Sequence, residues 1–160
     1  MYPYTKTEPK PCTVSARTKE ATLSEDIRLK ELLSLAEASA EQMAVRYKAL
    51  LKEPALAEAN RILKTMYLDQ LRHKRSLREM FYLFWQDPPA PAEETLPAES
   101  PKGKALLEET LLAELDDAAF YRELYTAVPK REFRDVFFML LADKQSHACG
   151  LTLLYAKYFS

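Results

Sequence analysis

The only two histidines of the chain, His73 and His147, lie 74 residues apart, and each closes the same short pattern. Gln70 stands three residues before His73 and Lys144 three before His147, with Asp69 and Asp143 one position earlier. A separation of three puts each polar residue on the same helical face as its histidine. Imidazole, amide, ammonium and carboxylate groups can hydrogen-bond one another, and imidazole and carboxylate can also bind a metal ion. Two further carboxylates, Glu37 and Glu114, interrupt apolar stripes elsewhere in the chain. A buried polar group without a partner costs several kcal/mol, about 2–7 depending on the reference state. Glu37, Gln70, His73, Glu114, Lys144 and His147 must therefore satisfy one another, bind something or line water. No other chemistry is offered: there is no nucleophile motif, and two glycines in the chain leave no glycine-rich phosphate loop.

The elements that carry these residues follow from spacing. Thr22 and Glu25 fit a capping box, which predicts a first helix from residue 22 to about Glu53. Pro54 ends that helix and suits the first turn of a second, running to about Gln86. A third helix is expected from about Lys102 to Ala127, and Pro129 opens a fourth that ends near Phe159. The second helix has a stripe of Ala59, Leu63, Met66, Gln70, His73, Leu77, Met80 and Phe84; the fourth has Phe133, Phe137, Leu140, Lys144, His147, Leu151, Leu154 and Tyr158. The first helix gives Leu33, Glu37, Ala40, Ala44, Tyr47 and Leu51; the third gives Leu107, Leu111, Glu114, Ala118, Tyr121 and Tyr125. Each second list is its counterpart shifted by 74, and Ala44/Ala118, Tyr47/Tyr121, Leu50/Leu124, Asp69/Asp143, His73/His147 and Leu77/Leu151 are identical pairs. This predicts an all-α fold: a four-helix bundle made of two duplicated antiparallel hairpins, residues 22–86 and 102–159. The proline-rich linker at 87–101 is long enough to cross the whole bundle, making the second and third helices parallel. Residues 1–21 are expected to form an extended or mobile tail. The polar positions lie near the helix midpoints and should meet at one level.

Composition narrows the setting. The formal net charge of −1 gives no reason to expect nucleic acid or a membrane surface, and 48% hydrophobic residues is ordinary for a globular chain. Cys12 and Cys149 make neither a CxxC pair nor a zinc spacing, and the first residues contain no apolar signal-like core, so a cytoplasmic protein is expected. The basic run Arg72–Arg78 reads as a solvated helix face, with no aromatic interleaving for base stacking. Phe81 to Trp85 is apolar nearly all round its helix, and the surplus predicts cover from the linker, the tail or a second copy, a homodimer being favoured.

Two helix hairpins with a long crossover, a Glu on the first helix of each and Glu-x-x-His on the second, is the ferritin-like di-iron pattern. The chain resembles the rubrerythrin-like branch: ELDDAAFYRELY is similar to its helix with a ligand Glu seven residues before a Tyr, and YLDQLRH and LADKQSH are similar to its D-E-x-x-H stretch. The resemblance covers about residues 23–159. It implies six ligand positions, of which Glu114, His73 and His147 keep the expected type, while Ala40, Gln70 and Lys144 do not. Asp69 and Asp143 resemble the family's second acids, each of which orients a histidine on the opposite hairpin.

One carboxylate and two imidazoles do not neutralise two iron ions, and an ammonium repels them. The expectation is a bundle with a degenerate centre, metal-free or weakly metal-binding and not an active oxidase, acting as a binding or structural protein. Lys144 would pair with Glu114, Gln70 would bond to that pair, and the histidines would stay neutral. The alternative is a rearranged iron or manganese site in an oxidoreductase of the rubrerythrin type, with Glu37 standing in for the missing Glu at Ala40 and joining Glu114, His73 and His147.

Overall fold

The computed structural model describes residues 16–86, 101–128 and 131–160, with the backbone alone for 16–25 and 132. The described residues are helical with short turns: α1 (Ala16–Leu50), a 3₁₀ segment (Pro54–Ala59), α2 (Asn60–Trp85), α3 (Gly103–Ala127) and α4 (Arg131–Tyr158). No strand occurs among them. The helix α1 begins at Ala16, inside the expected tail and before the capping box. The reason is local: Ala16, Arg17, Lys19, Glu20 and Ala21 are all good helix formers, and no breaker separates them from Thr22. Residues 1–15, the rest of that tail, lie outside the described residues, as do 87–100 of the expected linker and Pro129.

The ends of the helices follow from backbone chemistry. Pro54 cannot continue α1, so the chain turns over Leu51–Glu53 and restarts in the 3₁₀ segment, where Leu56 N–H donates to the Glu53 carbonyl at 3.0 Å. The helix α2 closes on Gln86 in the left-handed region (φ 55°), its N–H donating to Tyr82 O at 2.8 Å. Gly103 opens α3 at φ +56°, a conformation glycine adopts without steric cost. At the other end of α3, Arg134 Nε donates to Val128 O at 2.8 Å and ties the end of that helix to the start of α4.

Four helices packed in this way fit a four-helix bundle: α1 packs on α2, α3 on α4, and α1–α3 and α2–α4 contacts complete it. The apolar core has two parts. One joins Leu29, Leu33, Ala36 and Ala40 of α1 with Leu77, Met80 and Phe81 of α2, Tyr121 and Leu124 of α3, and Phe137 and Leu140 of α4. The other joins Met43, Tyr47 and Leu50 of α1 with Leu63 and Met66 of α2, Leu106 and Leu107 of α3, and Leu151 and Leu154 of α4. Early α1 thus meets late α2 and late α3, so α1 runs opposite to both, and α2 and α3 run the same way. Glu114, Gln70, His73, Lys144 and His147 lie between the two apolar parts, all buried.

The stripes read from spacing are mostly buried, but Leu111 is half-buried within α3, as are Phe84, Phe133 and Tyr158 at stripe ends. Leu51 is half-buried and Tyr125 is 38% exposed, while Leu50 and Leu124 are fully buried in their places. Leu51 and Tyr125 are equivalent by the 74-residue offset. An apolar stripe drifts about 20° per heptad around a straight helix, so by the last turn the neighbouring residue faces the core.

Candidate functional site

The polar layer is built around Lys144, which α4 carries into the interior at 0% exposure. Its Nζ donates to Asp117 Oδ2 at 2.7 Å and Gln70 Oε1 at 2.9 Å, and pairs with Glu114 Oε2 at 3.2 Å. Glu114, also fully buried, accepts from Tyr47 Oη at 2.5 Å and Gln70 Nε2 at 2.9 Å through its other oxygen. His147 Nδ1 lies 3.2 Å from the same oxygen. Asp117 takes a second bond from Ser39 Oγ at 2.5 Å. The Lys144–Glu114 pair, with Gln70 bonded to both partners, is the arrangement the sequence led us to expect. All four helices contribute to it.

The histidines are joined crosswise. His73 Nε2 on α2 lies 2.9 Å from Asp143 Oδ2 on α4, and His147 Nε2 on α4 lies 3.1 Å from Asp69 Oδ2 on α2. Each acid therefore lies against the histidine of the other helix of the α2–α4 pair. Arg72 spans the pair from the surface, 2.9 Å from Asp69 and 2.9 Å from Asp143. The two rings stack with centroids 6.1 Å apart and planes inclined by 20°. A groove of about 260 Å³ between α2 and α4, lined by Thr65, Met66, Asp69, Asp143, Ser146 and His147 among others, opens beside this pair.

The two halves differ where their residues differ. Tyr47 Oη and His147 Nδ1 both meet Glu114, but their counterparts at the 74-residue offset, Tyr121 Oη and His73 Nδ1, are buried without a hydrogen-bond partner. The counterpart of Glu114 is Ala40, fully buried, which has no carboxylate to offer them. Burial, together with the nearby Lys144 charge, pushes His73 down to about 4 against the bond from Asp143, so its ring is neutral near neutral pH. Burial opposes ionisation of Glu114 too, yet the bond from His147 and the Lys144 charge hold its carboxyl below the usual range. Burial, reinforced in Tyr47 by the Glu114 charge, raises both Tyr47 and Tyr121 well above the ordinary tyrosine value.

Glu37 is not part of this layer. It is buried, but its Oε1 accepts from Arg78 Nη1 at 3.1 Å, on the α1–α2 side of the bundle. One turn on, Glu41 pairs with Lys74 in the same way. Two cations of the basic run Arg72–Arg78 are therefore not simply solvated: Lys74 and Arg78 are half-buried and neutralise acids of α1. Arg78 engages Glu37 on this side of the bundle, away from the polar layer, and the expected rearranged ligand set loses a member. Asp117 is the residue that spacing missed. It lies three positions after Glu114, on the face turned to α1 and α4, and its counterpart Met43 is apolar, so the offset gave no signal for it.

The donor set does not suit a pair of metal ions. Nε2 of both histidines faces an aspartate, Lys144 occupies the space beside Glu114, and the nearest added carboxylate, Asp117, is bound to that lysine. Among the described residues no group of three or more His, Cys, Asp or Glu side chains is placed to hold a metal ion. Also among them, no helix is long and apolar enough to cross a membrane. The sequence matches no protein-family model and no curated protein.

Proposed function

We propose that this chain is a ferritin-like protein of the rubrerythrin-like branch, built from two duplicated hairpins and a crossover linker, whose di-iron centre has degenerated into an internal ion-pair network. In this reading it is metal-free or weakly metal-binding and is not an active oxidase. It serves as a cytoplasmic binding or structural protein, assembled as a homodimer. The observation that carries the reading is Lys144: a buried ammonium within 3.2 Å of Glu114, at the position where the resemblance calls for a ligand carboxylate. The pairing of α2 with α4 through reciprocal Asp–His bonds supports the same descent, because it keeps the orientation of the histidines without a metal to bind.

Elemental analysis of the full chain, purified from cells supplied with iron and manganese, tests this. The expected result is far less than one metal ion per chain, with no oxygen or peroxide consumption above background. Near-stoichiometric iron or manganese that is lost on changing His73 and His147 to Ala would overturn it.

A further inference from the structure

The outer face of α4 differs from that of every other helix in the chain. From Val136 to Ala156 the only formally charged residues are Asp143 and Lys144, and both are tied into the polar layer. The exposed residues over those six turns are Phe138, Met139, Ala142, Gln145, Ser146, Cys149, Thr152, Leu153 and Ala156, none of them charged. The Thr152 hydroxyl donates back to Ala148 O at 2.8 Å, which leaves its methyl group outward. The helix α2, which occupies the matching place in the first half, shows what such a face looks like when it meets water. At the positions of Phe138, Ser146, Cys149 and Leu153 it carries Lys64, Arg72, Arg75 and Glu79, all exposed, so that its exposed Leu68 and Leu71, at the positions of Ala142 and Gln145, lie among charges. An exposed helix face of this length with no charge marks an interaction surface.

The order of residues along this face says what covers it. Phe138, Ala142, Cys149 and Leu153 fall on one outward stripe, with Gln145 and Ser146 flanking its midpoint. Read from either end, the stripe is large, small, polar, polar, small, large. When a second α4 is laid against the first in the opposite direction about a point between Gln145 and Ser146, Phe138 comes level with Leu153, Ala142 with Cys149, and Gln145 with Ser146. The small residues then let the axes approach closely, and the large ones fill the space where the helices diverge. A surface that matches itself under a twofold rotation is the requirement for an isologous interface. The area is adequate: at the observed exposures (57% for Phe138, 61% for Met139 and for Leu153) the face offers roughly 600 Å² per copy, approaching the ~800 Å² per partner of a specific complex.

We infer that the outer face of α4 is the contact surface of a symmetric homodimer, in which two copies of α4 pack antiparallel about an axis between Gln145 and Ser146. This names the interface of the homodimer in the proposed function and does not depend on what the polar layer binds. It also gives a reason for the unpaired Cys149: opposite a partner alanine it acts as a small apolar side chain rather than a reactive thiol.

Sedimentation of the full chain, together with oxidative cross-linking, tests the interface. The wild type is expected at twice 18.4 kDa. The double variant Phe138→Lys/Leu153→Glu, which installs the residues of the α2 face, is expected at the monomer mass with unchanged helix content. With the axes about 8–9 Å apart, the two Gln145 Cα atoms come within roughly 6 Å, inside disulfide reach. In a Cys12→Ser/Cys149→Ser background, Gln145→Cys is therefore expected to form a covalent dimer on mild oxidation, and Leu71→Cys, its counterpart on α2, is not. A dimer that survives the double variant, or that Gln145→Cys fails to cross-link, overturns this face and leaves the homodimer standing. A monomeric wild type overturns both.

Discussion

The polar layer depends on one cation, and removing it gives the sharpest test of how the core is held together. Lys144→Met keeps the length of the side chain and most of its apolar volume but deletes the ammonium that contacts Asp117 at 2.7 Å, Gln70 at 2.9 Å and Glu114 at 3.2 Å. Glu114 would keep its bonds from Tyr47 and Gln70, and Asp117 its bond from Ser39, but two carboxylates would remain inside the protein without their counter-charge. Breaking a buried pair from one side costs about 3–5 kcal/mol, most of it the desolvated charge left behind. For a chain of this size each kcal/mol lowers the melting temperature by roughly 2–4 °C, so a fall of about 6–20 °C is expected. Adding Glu114→Gln and Asp117→Asn to Lys144→Met should then recover much of the loss, because the stranded charges are gone and their hydrogen-bonding capacity is kept. Urea unfolding followed by circular dichroism measures each variant. A loss under about 1 kcal/mol for Lys144→Met, or a triple variant no more stable than the single one, would refute the view that Lys144 is there to neutralise these acids.

Three further expectations concern single positions. Because folding moves His73 from its ordinary 6.5 down to about 4, the folded chain binds fewer protons than the unfolded one between those values; stability is then full above about pH 6.5 and declines by about 3 kcal/mol as pH falls towards 4. In His73→Gln that part of the pH dependence should disappear, which urea titrations at several pH values would show. Asp143→Ala should destabilise more than Asp69→Ala, by about 1 kcal/mol in thermal or urea unfolding, since His73 has no partner at Nδ1 to fall back on whereas His147 still meets Glu114. Gly150→Ala brings a Cβ against the terminal methyl of Met66, a flexible group that can turn into the adjoining groove, so the better helix propensity should prevail with a gain of about 0.5–1 kcal/mol by calorimetry.

Much of this architecture is legible in the sequence, and what is not has identifiable causes. The stripes of α2 and α4 are read correctly through His73, Leu77, His147 and Leu151 because an apolar–polar contrast repeated at steps of three and four leaves one possible buried face. The contrast weakens at helix ends, which is why Leu51 and Tyr125 are misplaced together. Glu37 satisfies the same spacing rule and is buried, but spacing says nothing about which partner a buried acid will find. Arg78 lies on another helix, and only the packing of α1 on α2 brings it within 3.1 Å. The early start of α1 is missed for a different reason: a capping box marks where a helix can begin, and it does not stop a sequence of good formers from extending further back. Asp117 is hidden by the very offset that exposed the rest, since a residue peculiar to one half has no counterpart to draw attention to it.

The reciprocal Asp–His bonds between α2 and α4 have a consequence for how the molecule comes apart. Neither hairpin contains the group that completes its own histidine: His73 waits on Asp143, and His147 on Asp69. A hairpin on its own would open its inner apolar face to water and lose the aspartate of its histidine at the same time, so half of the fold is a poor structure by itself. Assembly and loss of the two halves are thereby coupled, and a partly undone intermediate gains nothing by keeping one hairpin intact. The same exchange means that a chain cut between α2 and α3 has the means to stay in one piece, each fragment carrying the acid that the other requires.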